Sequence, residues 1–115
     1  MLADPRIAAT VRQLVDWLVA GDYSAVEVFT GGRRISADEM QQAIQSYGRK
    51  LVSLPTWALE GIDIVEIVGS SPRAWSVRVD LWTVSEGRSD LTLECTMIEC
   101  EGDFLKAEID NIHVC

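Results

Sequence analysis

Two glycines that close short polar links, Gly87 in Ser85-Glu86-Gly87 and Gly102 in Cys100-Glu101-Gly102, constrain this chain more than any other feature. A three-residue link ending in glycine suits a type I turn followed by a left-handed residue, which closes a β-hairpin with a bulge. The first link predicts that Val84 pairs with Arg88. Counting back sets Leu81 against Leu91, Asp80 against Thr92, Val79 against Leu93, Arg78 against Glu94 and Val77 against Cys95. A slip of one residue would set apolar against charged partners along the whole ladder, so pattern and turn agree. The second link sets Met97 against Leu105, Cys95 against Ala107 and Leu93 against Ile109. Upstream, the looser loop Gly69-Ser70-Ser71-Pro72-Arg73 lets Ile67 meet Trp75 and Val65 meet Val77, so a first strand, Ile62 to Val68, joins the same core. The segment from Gly61 to Cys115 therefore reads as a four-stranded antiparallel meander.

The first half is helical. Asp4 is placed to cap a helix with Pro5 at its first position, and Ile7, Val11, Leu14 and Leu18 recur at helical spacing until Gly21. A short second helix follows, capped by Asp22 or Ser24, with Val26 and Phe29 turned inward and Gly31-Gly32 at its end. The third carries the capping box Ser36-Ala37-Asp38-Glu39, with Ile35 set to staple onto Met40. Its buried stripe is expected to be Met40, Ile44, Tyr47 and Leu51, with Pro55 marking its end and Trp57 plugging an edge of the core. Helices first and an antiparallel sheet after them give an α+β fold with two to three helices packed on one sheet face.

At 115 residues the chain makes one ordinary domain, residues 1–115, able to bury most of its apolar surface without staples. Ile7 to Ala20 is too short and too interrupted by Thr10, Arg12, Gln13 and Asp16 to span a bilayer. The N-terminus lacks the basic segment, apolar run and cleavage site of a signal peptide, so a cytoplasmic protein is expected. The cysteines Cys95, Cys100 and Cys115 are odd in number and without CxxC spacing, which favours reduced thiols. With only His113 beside them, no metal and no cofactor is expected. A formal charge of −8 opposes binding to phosphate backbones, so neither nucleic acid nor membrane is an expected partner. Arg33-Arg34 reads as a solvent-exposed loop, and Arg49-Lys50 as cations complementing a helix C-terminus.

The order of elements resembles the cone-shaped nuclear transport factor 2-like fold, which also hosts ketosteroid-isomerase-like proteins. A more specific resemblance lies in Leu18 to Tyr23 (LVAGDY), Thr30 to Ser36, Trp75 to Leu93 (WSVRVDLWTVSEGRSDLTL) and Glu108 to Val114. These segments look like a family of small bacterial domains of unknown function. That resemblance implies a bacterial origin and a stand-alone domain, and it carries over no catalytic residue.

Two surfaces compete for a functional reading. The sheet face turned away from the helices is expected to show Arg78, Asp80 and Trp82, then Asp90, Thr92, Glu94, Thr96 and Ile98, then Phe104, Lys106, Glu108 and Asp110. Glu94 would face Glu108 across the last strand pair, a mildly unfavourable opposition. Asp80, Trp82, Asp90, Glu94, Glu108 and Asp110 are the candidate partner-binding residues. Such a face is either a solvated surface, a docking site for a basic protein with Trp82, Ile98 and Phe104 as apolar anchors, or a weak divalent-cation site.

The inward face is apolar throughout, from Val65, Ile67 and Trp75 to Ala107 and Ile109. Acid–base chemistry needs titratable groups inside a pocket, and only Asp63, Asn111, His113, Tyr23 and Tyr47 come near one. Gly31-Gly32 lacks the GxxxxGK pattern, and no GxSxG elbow exists. No catalytic set emerges. The chain thus reads first as an acidic interaction module of the immunity or antitoxin type, binding a basic protein or its own copy through free strand edges. The alternative is a small-ligand or isomerase-like domain with a pocket under the sheet lined by Trp17, Trp57 or Trp75.

Overall fold

The computed structural model describes residues 4–32 and 34–114. Three helices, α1 (Arg6–Ala20), α2 (Tyr23–Thr30) and α3 (Ala37–Tyr47), precede five strands, β1 (Leu51–Val52), β2 (Asp63–Glu66), β3 (Ala74–Thr83), β4 (Gly87–Ile98) and β5 (Lys106–Val114). All strand pairs are antiparallel, β3–β4–β5 form the body of the sheet, and β1 and β2 both pair with β3. The architecture is α+β with helices first, as the sequence implies.

Each helix obeys its local signals. The Asp4 carboxylate accepts the Arg6 N–H at 2.9 Å, with Pro5 at the cap position, one residue outside the expected start. Asp22, not Ser24, caps α2 by accepting the Ala25 N–H at 3.2 Å. In α3 both halves of the capping box form: Ser36 Oγ accepts from Glu39 N–H at 3.2 Å, and Glu39 Oε1 from Ser36 N–H at 2.9 Å. Gly48, at φ +76°, ends α3, so Leu51 leaves the helical stripe and belongs to β1. The stop comes from a left-handed glycine well before Pro55.

The core register holds where the apolar alternation is regular. Val77 faces Cys95, Arg78 faces Glu94, Val79 faces Leu93 and Asp80 faces Thr92, all as expected. Beyond Asp80 the register changes. Thr83 pairs with Gly87 and Trp82 with Arg88, so the loop is Val84-Ser85-Glu86 and the expected pairs Val84–Arg88 and Leu81–Leu91 do not form. The offset is absorbed by a bulge at Ser89, Asp90 and Leu91 opposite Leu81. Ser89 is buried there because its hydroxyl donates to the Leu81 carbonyl at 2.7 Å and accepts the Leu91 N–H at 3.1 Å.

On β5 the pairing is moved by two residues, with Met97 against Ala107 and Cys95 against Ile109. A further irregularity at Asp110 then sets Leu93 against Ile112 and Glu94 against Asn111. A shift of two keeps every side chain on its face, which is why Ala107 and Ile109 remain inward. On β2 the slip is one residue: Ile64 faces Val77 and Val65 faces Ser76. Val65 and Ile67 are therefore not core residues, and Val65 is 64% exposed.

The helices cover the other face. Ile7, Val11, Leu14 and Leu18 of α1, Val26 of α2, and Met40 and Ile44 of α3 pack with Trp75, Val77, Val79, Leu81, Leu91, Leu93, Cys95 and Met97 in one hydrophobic cluster. Burying each large apolar side chain contributes roughly 1.5–3 kcal/mol. Thr10 ties the layers together, donating to Arg6 O at 2.7 Å and accepting the Leu105 N–H at 3.0 Å.

Candidate functional site: the uncovered sheet face

Successive cross-strand rows organise the face without helices. One row runs Asp63, Arg78, Glu94 and Asn111, from β2 to β5. A neighbouring row runs Val65, Ser76, Thr96 and Glu108; on the other side lie Asp80, Thr92 and His113. Glu108 therefore faces Thr96, and the expected opposition of Glu94 and Glu108 is absent. The cause is the two-residue shift of β5; the irregularity at Asp110 then sets Glu94 against Asn111, and the Asp110 carboxylate accepts from Thr96 Oγ1 at 2.8 Å.

Arginines and hydrogen-bonding neighbours hold most of the carboxylates in place. Arg78 Nε lies 3.1 Å from Glu94 Oε2, and His113 Nε2 lies 3.2 Å from Glu94 Oε1. Arg34, from the α2–α3 link, reaches over the β5 edge to within 3.3 Å of Asp110 and 3.8 Å of Glu108. Asp80 accepts from Thr92 Oγ1 at 3.2 Å and has Arg88 only at 3.9 Å. Asp90 stands exposed on the bulge. The face is thus a lattice of alternating charge in which Asp63, Asp80, Asp90, Glu94, Glu108 and Asp110 outnumber Arg34, Arg78, Arg88 and Lys106. Arg34 is the exposed loop residue expected, and it also joins this lattice; Arg33 lies outside the described residues.

The apolar border differs from the expected one. Trp82 is half-buried and meets Trp57 edge to face, centroids 5.4 Å apart at 85°. Trp57, 66% exposed, caps that ring and plugs no core. Phe104 is not on this face: it meets Phe29 at 6.4 Å, and Phe29 meets Trp17 at 5.6 Å, on the helical side. Val65 joins the border in its place.

Between β1 and β2 the edge of β3 is interrupted. β2 pairs as far as Arg78, β1 begins at Trp82, and a 3-10 turn at Thr56–Gly61 bulges out between them. Beneath that turn lies a cavity of about 150 Å³ walled by Leu54, Ala58, Asp63, Arg78, Asp80 and Trp82.

The inward face offers no matching chemistry. Trp75, Val77, Leu81, Leu93, Met97 and Ala107 are at most 1% exposed, so side chains fill the centre of the space between sheet and helices, and an open groove of about 450 Å³ lies only toward its margin, between Pro5, Ile7 and Ala8 of the α1 end and Ile62 and Ile64. The three tryptophans, any of which was a candidate to line a pocket under the sheet, are apart: Trp75 in the core, Trp17 beside a shallow groove with Val28 and Phe29, and Trp57 at the sheet edge. His113 and Asp63 lie on the outer face, and the Tyr47 hydroxyl donates to Glu86 at 2.8 Å. Burial pushes the Cys95 thiol up to about 12, which leaves it inert as a nucleophile. Among the described residues no group of His, Cys, Asp and Glu is arranged to hold a metal ion, and no helix is long and apolar enough to cross a membrane. Cys115 lies outside the described residues.

Arg34, Asp63, Val65 and Trp57 are the surface residues that sequence reasoning misplaced or left out. For Asp63 and Val65 the signal was present in the phase of Ile62 and Ile64; for Arg34, a contact made across the fold, the local sequence carried none.

A family model described as a domain of unknown function (DUF7668) matches residues 15–115. No curated protein and no solved structure matches the chain.

Proposed function

The chain belongs to this DUF7668 family of domains of unknown function, and we propose that it is a non-enzymatic interaction module that docks a basic protein through its uncovered sheet face. The observation that carries this reading is a whole sheet face left bare of helices on which carboxylates are fixed in position by flanking side chains. Fixed charges complement a partner without the entropy cost of ordering long side chains at binding. The net charge of −8 draws basic partners and opposes self-association.

Support over a ligand-binding or isomerase-like role comes from the filled core under β3–β5, where that role needs an enclosed pocket of roughly 300–1,000 Å³ and the grooves of such size are open ones at the surface. The two thiols among the described residues, buried Cys95 and exposed Cys100, suit a reducing bacterial cytoplasm, where an immunity protein or antitoxin would meet its basic target.

The test begins with a pull-down from bacterial lysate and continues with direct binding of the recovered protein at low and high salt. The variant combines Asp90→Lys with Glu94→Gln and Glu108→Gln. Reversing Glu94 to Lys is avoided because it would set a cation against Arg78. Wild-type protein should bind a basic partner at low salt, with affinity falling at least about tenfold in the variant while the fold persists. Equal affinity for both proteins, or recovery of this chain alone, would refute the reading.

A further inference from the structure

The break in the β3 edge has chemistry of its own. In an antiparallel ladder, alternate residues point their main-chain N–H and C=O to the same side. The Ile67 N–H donates to Ala74 O at 2.9 Å, and the Val84 N–H to Lys50 O at 2.9 Å. That alternation directs the main-chain groups of Asp80, midway between Arg78 and Trp82, to the same edge. Neither β1 nor β2 reaches Asp80. A main-chain N–H and C=O therefore open onto the cavity without a strand partner, a condition that calls for a polar occupant.

Size and walls narrow the occupant. A cavity of about 150 Å³ is too small for a drug-sized molecule, yet exceeds the roughly 30 Å³ of one water several-fold. It suits one side-chain head group. The acceptors facing it are the Asp80 carbonyl and the Asp63 carboxylate, which makes no ion pair among the described residues; the Asp80 carboxylate is turned to Thr92 and Arg88 of β4. Arg78, in the wall, is held toward β4 by Glu94. Trp82 supplies an aromatic wall, and exposed Trp57 packs edge-on against it with centroids 5.4 Å apart. Planar donors, positive charge and affinity for an aromatic face together describe a guanidinium better than an ammonium, which is a compact point charge.

The geometry points to a seat for an arginine side chain of the basic partner, with the Asp63 carboxylate and the Asp80 carbonyl as acceptors and Trp82, backed by Trp57, as its aromatic wall. This assignment rests on the docking role proposed above and names its anchor.

The probe is N-acetyl-arginine amide, titrated into the full chain and followed by indole NMR signals and tryptophan fluorescence, with the lysine and citrulline counterparts alongside. Saturable shifts confined to the Trp57 and Trp82 indoles are expected. Binding should be at least about tenfold tighter than for lysine and weaker again for uncharged citrulline. Asp63→Asn should weaken it at least about tenfold, and Trp57→Ala should reduce it; neither change touches the core. The seat is overturned if no saturable shift occurs, if citrulline binds as well as arginine, or if Asp63→Asn binds like wild type. Failure of the docking role reads differently. A recovered partner that binds Asp63→Asn at full affinity but loses the Asp90, Glu94 and Glu108 variant removes the seat and leaves the face. An arginine probe that binds while no partner responds to that variant does the reverse.

Discussion

Glu66 and Arg73 face each other across the β2–β3 hairpin in a two-pronged contact, Nε to Oε2 at 3.0 Å and Nη2 to Oε1 at 2.9 Å. The guanidinium also lies 5.2 Å from the Trp75 ring centroid, so one side chain links the hairpin to the core. Hydrogen bonding to Arg73 lowers the Glu66 carboxyl below its ordinary 4.5. A carboxylate lowered in the folded state stabilises the fold above its unfolded value, and that contribution is lost as pH falls through the folded value. Thermal melts of wild type and Glu66→Gln should therefore differ at neutral pH, with wild type higher, and converge well below pH 4.5. A gap that persists in acid would place the effect elsewhere. The pair is about half exposed, so the gap should be small.

At the scale of elements, α1 and the β4–β5 loop are joined by Thr10, which is fully buried. Thr10→Val keeps the shape but leaves the Leu105 N–H without its acceptor, a loss of about 1–3 kcal/mol measurable by urea unfolding. Thr10→Ser should recover most of it. A cost no larger than a surface substitution would show that the loop finds another partner. Elements also show how far the sequence was legible. The central β3–β4 pairing was readable because Val77, Val79, Leu93 and Cys95 alternate strictly with polar residues. It ceased to be readable at Ser89, a polar residue that alternation cannot mark as special and whose hydroxyl meets buried main-chain groups. The run Ile62-Asp63-Ile64-Val65-Glu66-Ile67 holds two competing apolar phases, and only packing against α1 and β3 selects between them. The short β1 was hidden because Leu51 fits a helical stripe as well as a strand. Of the candidate surface residues, Asp80, Glu94, Glu108 and Asp110 were placed on the correct face, and Arg78 was legible as the cation facing Glu94, but Arg34, which reaches Asp110 and Glu108 from a distant loop, was not.

For the whole molecule, a radius of gyration of 13.4 Å and extents of 38 × 29 × 24 Å place a net charge of −8 in a small volume. Exposed ion pairs of the outer lattice each contribute about 0–1 kcal/mol, and salt weakens them. The excess negative charge repels itself, and salt relieves that repulsion. The second effect should win, so the melting temperature should rise by about a few degrees from low to high salt, while affinity for a basic partner falls. Differential scanning calorimetry across a salt series measures the first trend. A falling melting temperature would mean that the lattice contributes more to the fold than its exposure suggests.

The interruption between β1 and β2 also bears on what crowds of these molecules do to one another. A long, even strand at the border of a sheet is a template onto which a neighbour can add its own strand, and repetition of that step builds fibres. Here that border is divided into a pair of short rows by a protruding 3-10 turn, and β2 carries Asp63 and Glu66 at its ends. Two copies meeting antiparallel along β2 would set Asp63 against Glu66. The same break that opens a seat for one side chain thus denies a foothold to indefinite polymerisation.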